Sequence, residues 1–135
     1  MQVLSEASAV KRRYDMQEYK EKQRIIQELV PGKQITLAHI IANPDEILYK
    51  KLGLDPAVEY SRSAIGILTV SPAETAIIAG DIAIKASGAQ LGFVDRFSGT
   101  VILTGTYSEV DASMRAVVEY AEETLGFTVC KITKT

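Results

Sequence analysis

From Ala64 onward the chain alternates short apolar runs with longer amphipathic ones, and that order admits few folds. AIGILTV (64–70) is brief and almost wholly apolar, as buried strands are. Ser71-Pro72-Ala73-Glu74 then supplies a capping residue, a proline suited to the first helical position and an acid able to reach back. The pattern predicts a helix from there to about Ser87, apolar on most sides, with Asp81 and Lys85 marking a narrow solvent edge. AQLGFVD (89–95), the turn RFSG and TVILTGT (100–106) read as an antiparallel hairpin. Ser108 to Leu125 predicts a second long helix that buries Val110, Met114, Val117, Val118, Ala121 and Leu125, and Gly126 ends it. FTVCKIT (127–133) is the last strand. The order β-α-β-β-α-β is that of an α+β, ferredoxin-like domain, with two helices over one face of a sheet.

Ahead of this pattern stands a segment the pattern does not need. IIQELVPGKQITLAHIIANP (25–44) joins two apolar runs through Pro31-Gly32 and stops at a helix start, Asn43-Pro44-Asp45-Glu46. That helix carries Ile47, Leu48 and Leu52 and should end at Gly53; residues 54–63 read as a polar connector. The near-continuous apolar strands require cover on the second sheet face, and residues 25–53 or oligomerisation would supply it. Residues 1–24 are dense in charge. Leu4, Ala7, Val10 and Tyr14 can share a helical face, so this leader reads either as a short amphipathic helix or as an exposed tail.

A chain of 135 residues reads as one domain. Surface scaling gives burial of roughly two-thirds of the unfolded surface, enough for a core without disulfide or metal. A net charge of −2 gives no electrostatic reason to expect nucleic acid or an anionic membrane as partner. Cys130 is the single cysteine, which rules out an internal disulfide and suits a reducing compartment. No apolar run approaches the roughly 20 residues of a membrane span, and Lys11-Arg12-Arg13 is not followed by the apolar stretch of a secretory signal. The expectation is a soluble intracellular protein.

Chemistry-bearing motifs are sparse. Pro31-Gly32-Lys33-Gln34 lacks the spacing, the hydroxyl residue and the following helix of a phosphate-binding loop, and a type II turn accounts for it better. His39 is the only histidine, set in the strand QITLAHII, where a hydrogen-bonded structural role is favoured over a general base. Cys130 reads as a small buried hydrophobe. No catalytic, cofactor-binding or metal-ligating constellation appears, so the chain is not expected to be an enzyme or to hold a cofactor. Asp95 and Arg96 open the DRFSG turn; a local ion pair or an exposed protein-contact loop both fit it.

VPGKQITLAHIIANP, AIGILTVSPAETAIIAGDIA, GFVDRFSG and the terminal CKITKT together resemble circularly permuted bacterial microcompartment (BMC) shell proteins of the PduU/EutS group, over roughly residues 25–135. The resemblance implies a permuted BMC domain at 33–135 behind a charged leader at 1–24. It implies a homohexamer that packs against other shell proteins around encapsulated enzymes in the bacterial cytoplasm, with no chemical step. It also implies an axial β-barrel, one strand per subunit, from Ile25, Ile26, Gln27, Glu28, Leu29, Val30, Pro31 and Gly32. Arg96, Phe97, Ser98 and Gly99 match the pore-proximal loop of ordinary shell domains. The leader is a candidate docking element for cargo or a cytosolic protein. Two other readings stand beside it: an oligomeric ferredoxin-like regulatory domain binding a small metabolite, which needs a polar cleft, and a small enzyme using His39, which needs a pocket and a neighbouring acid.

Overall fold

A computed structural model describes residues 32–54 and 63–135. The elements are β1 (Gln34–Ile41), α1 (Ile47–Lys51), β2 (Ala64–Ser71), α2 (Thr75–Ala86), β3 (Gln90–Asp95), β4 (Thr100–Gly105), α3 (Tyr107–Glu123) and β5 (Thr133–Lys134). The strands form one sheet in the order β3-β4-β2-β1-β5. Neighbours are antiparallel except β5, which runs parallel to β1.

This order corrects the first reading of the N-terminal segment. A plain βαββαβ domain sets its last strand beside its first. Here β1 occupies that place, and β5 moves to the edge. So Gln34–Ile41 does not lie over the sheet as a cover; it is one of the sheet's inner strands. Its side chains dictate this, because Ile35, Ala38 and Ile40 bury completely or nearly so in the main core. A bulge between Ile35 and Leu37 restores the alternation that keeps all three on one face. Cover on the other face comes from α1 and its exit: Tyr49 and Leu54 pack on Ile65.

The helical layer rests on close approach. On α2 the buried stripe is Ala76, Ala79, Gly80 and Ala83, all small. The large residues Ile77, Ile78 and Ile84 point outward, each about half exposed. The outer face is therefore broad, not a narrow edge, although the Asp81–Lys85 pair lies on it at 2.9 Å as expected. On α3 the buried face is Val110, Ser113, Met114, Val117 and Ala121, with Val118 and Leu125 partly buried. The sequence did not single out Ser113; its hydroxyl donates to the Ala83 carbonyl at 2.6 Å and so joins the two helices. Beneath α3, a Cβ on Gly66 would stand 2.7 Å from Val110 Cγ1, so glycine sets the helix-to-sheet distance there.

Three boundaries differ from expectation. α1 starts at Ile47, whose N–H is held by Asp45 Oδ1 at 3.1 Å, and not at Pro44 under an Asn43 cap. α2 starts at Thr75 with no side-chain cap, after a cis Ser71–Pro72 bond. The capping box belongs instead to α3, where Thr106 Oγ1 accepts from Glu109 N–H and Glu109 Oε1 accepts from Thr106 N–H. The last strand is also shorter than FTVCKIT. Gln34 faces Thr128 and His39 faces Thr133, one register throughout, but only an isolated bridge at Thr128 and the two-residue strand Thr133–Lys134 are paired with β1.

Candidate assembly surface

The β3–β4 turn is built by one carboxylate. Asp95 Oδ1 accepts from the Phe97 N–H at 2.9 Å and Oδ2 from the Ser98 hydroxyl at 2.8 Å, while the Gly99 N–H donates to the Asp95 carbonyl at 2.9 Å. Those bonds favour the ionised acid and hold its pKa below the ordinary carboxylate value, the Phe97 bond contributing most. With both carboxylate oxygens so engaged, Arg96 stacks on Phe97, 4.8 Å from the ring centroid. The turn is thus locked by Asp95, and it presents Phe97 at 79% exposure.

Gly99 anchors this turn to the sheet. Its φ is +79°, and its carbonyl accepts from Val70 N–H at 2.9 Å. A Cβ there would lie 2.3 Å from the Val70 carbonyl oxygen. Of the four expected loop residues, Gly99 is the fixed base, Ser98 a brace, and Arg96 with Phe97 the displayed part.

Two further exposed apolar tracts lie nearby in sequence. β3 is a sheet edge among the described residues, and Leu91, Phe93 and Val94 are each more than a third exposed. The outer face of α2 offers Ile77, Ile78 and Ile84 around the Asp81–Lys85 pair. The total exceeds what scattered surface hydrophobes explain and fits protein contact. The sequence signal for α2 was available: a helix apolar on most sides cannot bury every side in a two-layer domain.

The chemical candidates resolve otherwise. His39 Nδ1 lies 2.6 Å from Thr133 Oγ1 and Nε2 lies 2.9 Å from Thr135 Oγ1, so both ring nitrogens are held by hydroxyls and neither by an acid. Cys130 is a free thiol, partly buried against the main core. Lys33 is exposed, and its carbonyl accepts from Thr128 N–H as part of the sheet edge. Among the described residues no cluster of three or more His, Cys, Asp or Glu could hold a metal ion. An open hollow of about 200 Å³ is lined by Lys33, Pro72, Thr75, Ile78, Leu125 and Phe127, mostly apolar and without the convergent polar groups a metabolite site needs. No helix of the described residues is long and apolar enough to cross a membrane. The expected barrel residues Ile25 to Pro31 lie outside the described residues; Gly32, the last of that set, is exposed.

Comparison with known proteins gives the arrangement its relatives. The model of the BMC domain matches residues 64–133. Over 112 residues the chain is 54% identical to the bacterial microcompartment shell protein PduU of Salmonella typhimurium, covering 83% of this chain and 93% of that protein. It is 50% identical to the shell protein EutS of the same organism over 113 residues, covering 84% and 97%. A flat hexamer of CutR superposes with a TM-score of 0.72 at 46% identity, covering 78% of this chain and 94% of that one.

Proposed function

This chain belongs to the BMC-domain shell proteins of bacterial microcompartments, and we propose that it is a structural tile, a homohexamer packed beside other shell proteins around encapsulated enzymes in the cytoplasm. The observation that carries this is the surface itself. A two-layer domain whose edge strand, turn and outer helix all present large apolar side chains is built to be covered by copies and neighbours. The exposed isoleucines of α2 with Asp81 and Lys85 are the lateral contact in this reading. The Arg96–Phe97 tip faces the hexamer axis, where six guanidinium–aromatic pairs surround it. No catalytic step is assigned.

The domain is circularly permuted in this account. Support comes from the sheet: the family match begins at Ala64, yet β1, which precedes it, fills an inner position between β2 and β5. A strand that a domain cannot lack, lying outside the usual span, has changed its place in the chain and not its place in the fold. The residues before it, Ile25 to Gly32, form an axial barrel strand. Six parallel copies closing on themselves remove the edges that one strand alone exposes. The leader at 1–24 serves, in this reading, as a docking element for cargo or a cytosolic protein.

Deletion of residues 1–31 tests the axial part. Cryo-electron microscopy should show hexamers that keep their ring and lose density on the six-fold axis. Unchanged axial density would refute the barrel.

A further inference from the structure

The β3–β4 turn carries a large ring that its own chain leaves in the open. Phe97 is 79% exposed, with the Arg96 guanidinium over one side, 4.8 Å from the ring centroid. The backbone beneath it is fixed. Asp95 accepts from the Phe97 N–H and the Ser98 hydroxyl at 2.9 and 2.8 Å, and the 2.9 Å bond from Val70 N–H to the Gly99 carbonyl ties the base of the turn to β2. An aromatic side chain held out on a fixed backbone has little freedom left to lose when it is covered, which is what an anchor for a second molecule requires.

At the same end of the domain lies a hole of matching size and chemistry. A Cβ on Gly99 would stand 3.2 Å from Ala73 Cα and 2.3 Å from the Val70 carbonyl oxygen, so the turn rests on the residues that flank Pro72. Pro72 is on the rim of the open hollow of about 200 Å³, with Lys33, Thr75, Ile78, Leu125 and Phe127. The floor of the hollow is the main core, in which Phe127 is buried and Leu125 partly so. An apolar cavity of about 150 Å³ holds a benzene molecule, so this space admits a phenyl ring. Lys33 is the one charged member of the lining; it is exposed, and its methylene stem can lie along a ring while the ammonium stays in water.

A closed ring of identical chains is joined head to tail, so one flank of each protomer must offer what the opposite flank accepts. In the homohexamer proposed above, on which this inference rests, the turn and the hollow answer to each other as knob and hole. Around a six-fold axis each point lies as far from its copy on the next protomer as from the axis itself. A knob close to the axis therefore meets the next protomer's hole only if both lie at the same end of the domain, as these do. We infer that Phe97 of each protomer seats in the hollow between α2 and α3 of the next, and so is the aromatic anchor of the ring contact. The tip keeps its place around the axis, with the ring turned along the circumference.

The test uses the full chain and two readouts. In the first, Phe97→Ala should raise the protomer concentration at which half the chains sediment as rings by at least about tenfold, the loss expected of a truncated anchor. Phe97→Leu should raise it less, and the thermal unfolding of dissociated protomers should not move, because the ring is exposed there. In the second, two single-cysteine forms carrying Cys130→Ala are co-expressed, one with Phe97→Cys and the other, tagged, with Thr75→Cys. A short bismaleimide should join a tagged chain to an untagged one. An unchanged midpoint for Phe97→Ala would overturn the anchor. Phe97→Cys chains joined to one another, and not to Thr75→Cys chains, would put the ring in the axial opening and overturn the seat. Either result leaves the tile reading standing so long as the natural chain forms six-fold rings; a natural chain that forms none would overturn both.

Discussion

Replacing Gly99 by alanine isolates what the base of the β3–β4 turn requires. Two glycines share nearly the same backbone, Gly99 at φ +79° and Gly126 at φ +73°, but their surroundings differ. Around Gly126 a Cβ would meet nothing within 4 Å, whereas at Gly99 it would lie 2.3 Å from the Val70 carbonyl oxygen and 3.2 Å from Ala73 Cα. Gly126→Ala therefore carries only the cost of a left-handed residue, about 1 kcal/mol after the gain in chain stiffness is set against it. Gly99→Ala carries that cost and a collision with backbone, which has no rotamer to escape into. The turn must back away by roughly 1 Å to reach ordinary contact. Doing so sacrifices the 2.9 Å bond from Val70 N–H to the Gly99 carbonyl, worth about another 1 kcal/mol. The sum is about 2–4 kcal/mol, or a fall in Tm of roughly 10 °C against roughly 4 °C for Gly126→Ala. Thermal unfolding followed calorimetrically at one protomer concentration distinguishes them, since assembly makes Tm concentration-dependent. Equal shifts for the two variants would refute the argument that contact with Val70, and not φ alone, demands glycine at 99.

Three other outcomes are expected. Gly66→Ala pushes a Cβ to 2.7 Å from Val110 Cγ1 and should cost about 1–3 kcal/mol in chemical denaturation. Adding Val110→Ala should recover part of that loss, so the double variant should be less unstable than the two single effects summed. Asp95→Asn should lower stability at neutral pH and not in acid. The folded pKa of Asp95 is depressed, so its contribution is fully present above the unfolded carboxylate value and is lost as pH falls through the folded value. The Tm gap between the variant and the natural chain should therefore hold from neutral pH down to about pH 5 and shrink as pH falls below the unfolded carboxylate value of about 4, and a gap that does not shrink in that acid range would exclude the carboxylate as its source. Ile77→Asp combined with Ile84→Asp, both on half-exposed sites flanking Asp81, should cost the protomer about 1–2 kcal/mol and leave it folded, but abolish extended sheets in electron micrographs. Sheets that persist would remove this face from the lateral contact.

Much of the α+β domain was legible because it rests on local periodicity. The burial of Val110, Met114, Val117 and Ala121 follows from the 3.6-residue period of α3, and Gly126 stops that helix with positive φ as expected. The place of β1 was not legible from periodicity, because alternation tells which residues share a face and not which strand lies beside which; only the family resemblance placed it within the domain at 33–135. Counting a complete βαββαβ pattern from Ala64 made Gln34–Ile41 look surplus, while the folded sheet uses it as an inner member. The two proline-bearing helix starts misled for a related reason. Asn43 and Ser71 carry capping chemistry, but the chain turns before either helix begins, and Thr106 with Glu109 makes the capping box. His39 was legible as a structural group, since a lone imidazole with no acid at hand has only hydrogen bonding left to do; that its partners are Thr133 and Thr135, some 95 residues away, needed the fold. On α2 the residue types were visible but the direction was not: small residues turned inward to let the helix approach, and the isoleucines were left outside.

A shell tile must assemble on itself. Electron microscopy of the purified full chain at high protomer concentration reads that assembly. Six-fold rings, alone or joined edge to edge into sheets, are the expected result; a protein that stays monomeric or dimeric under those conditions would contradict the account.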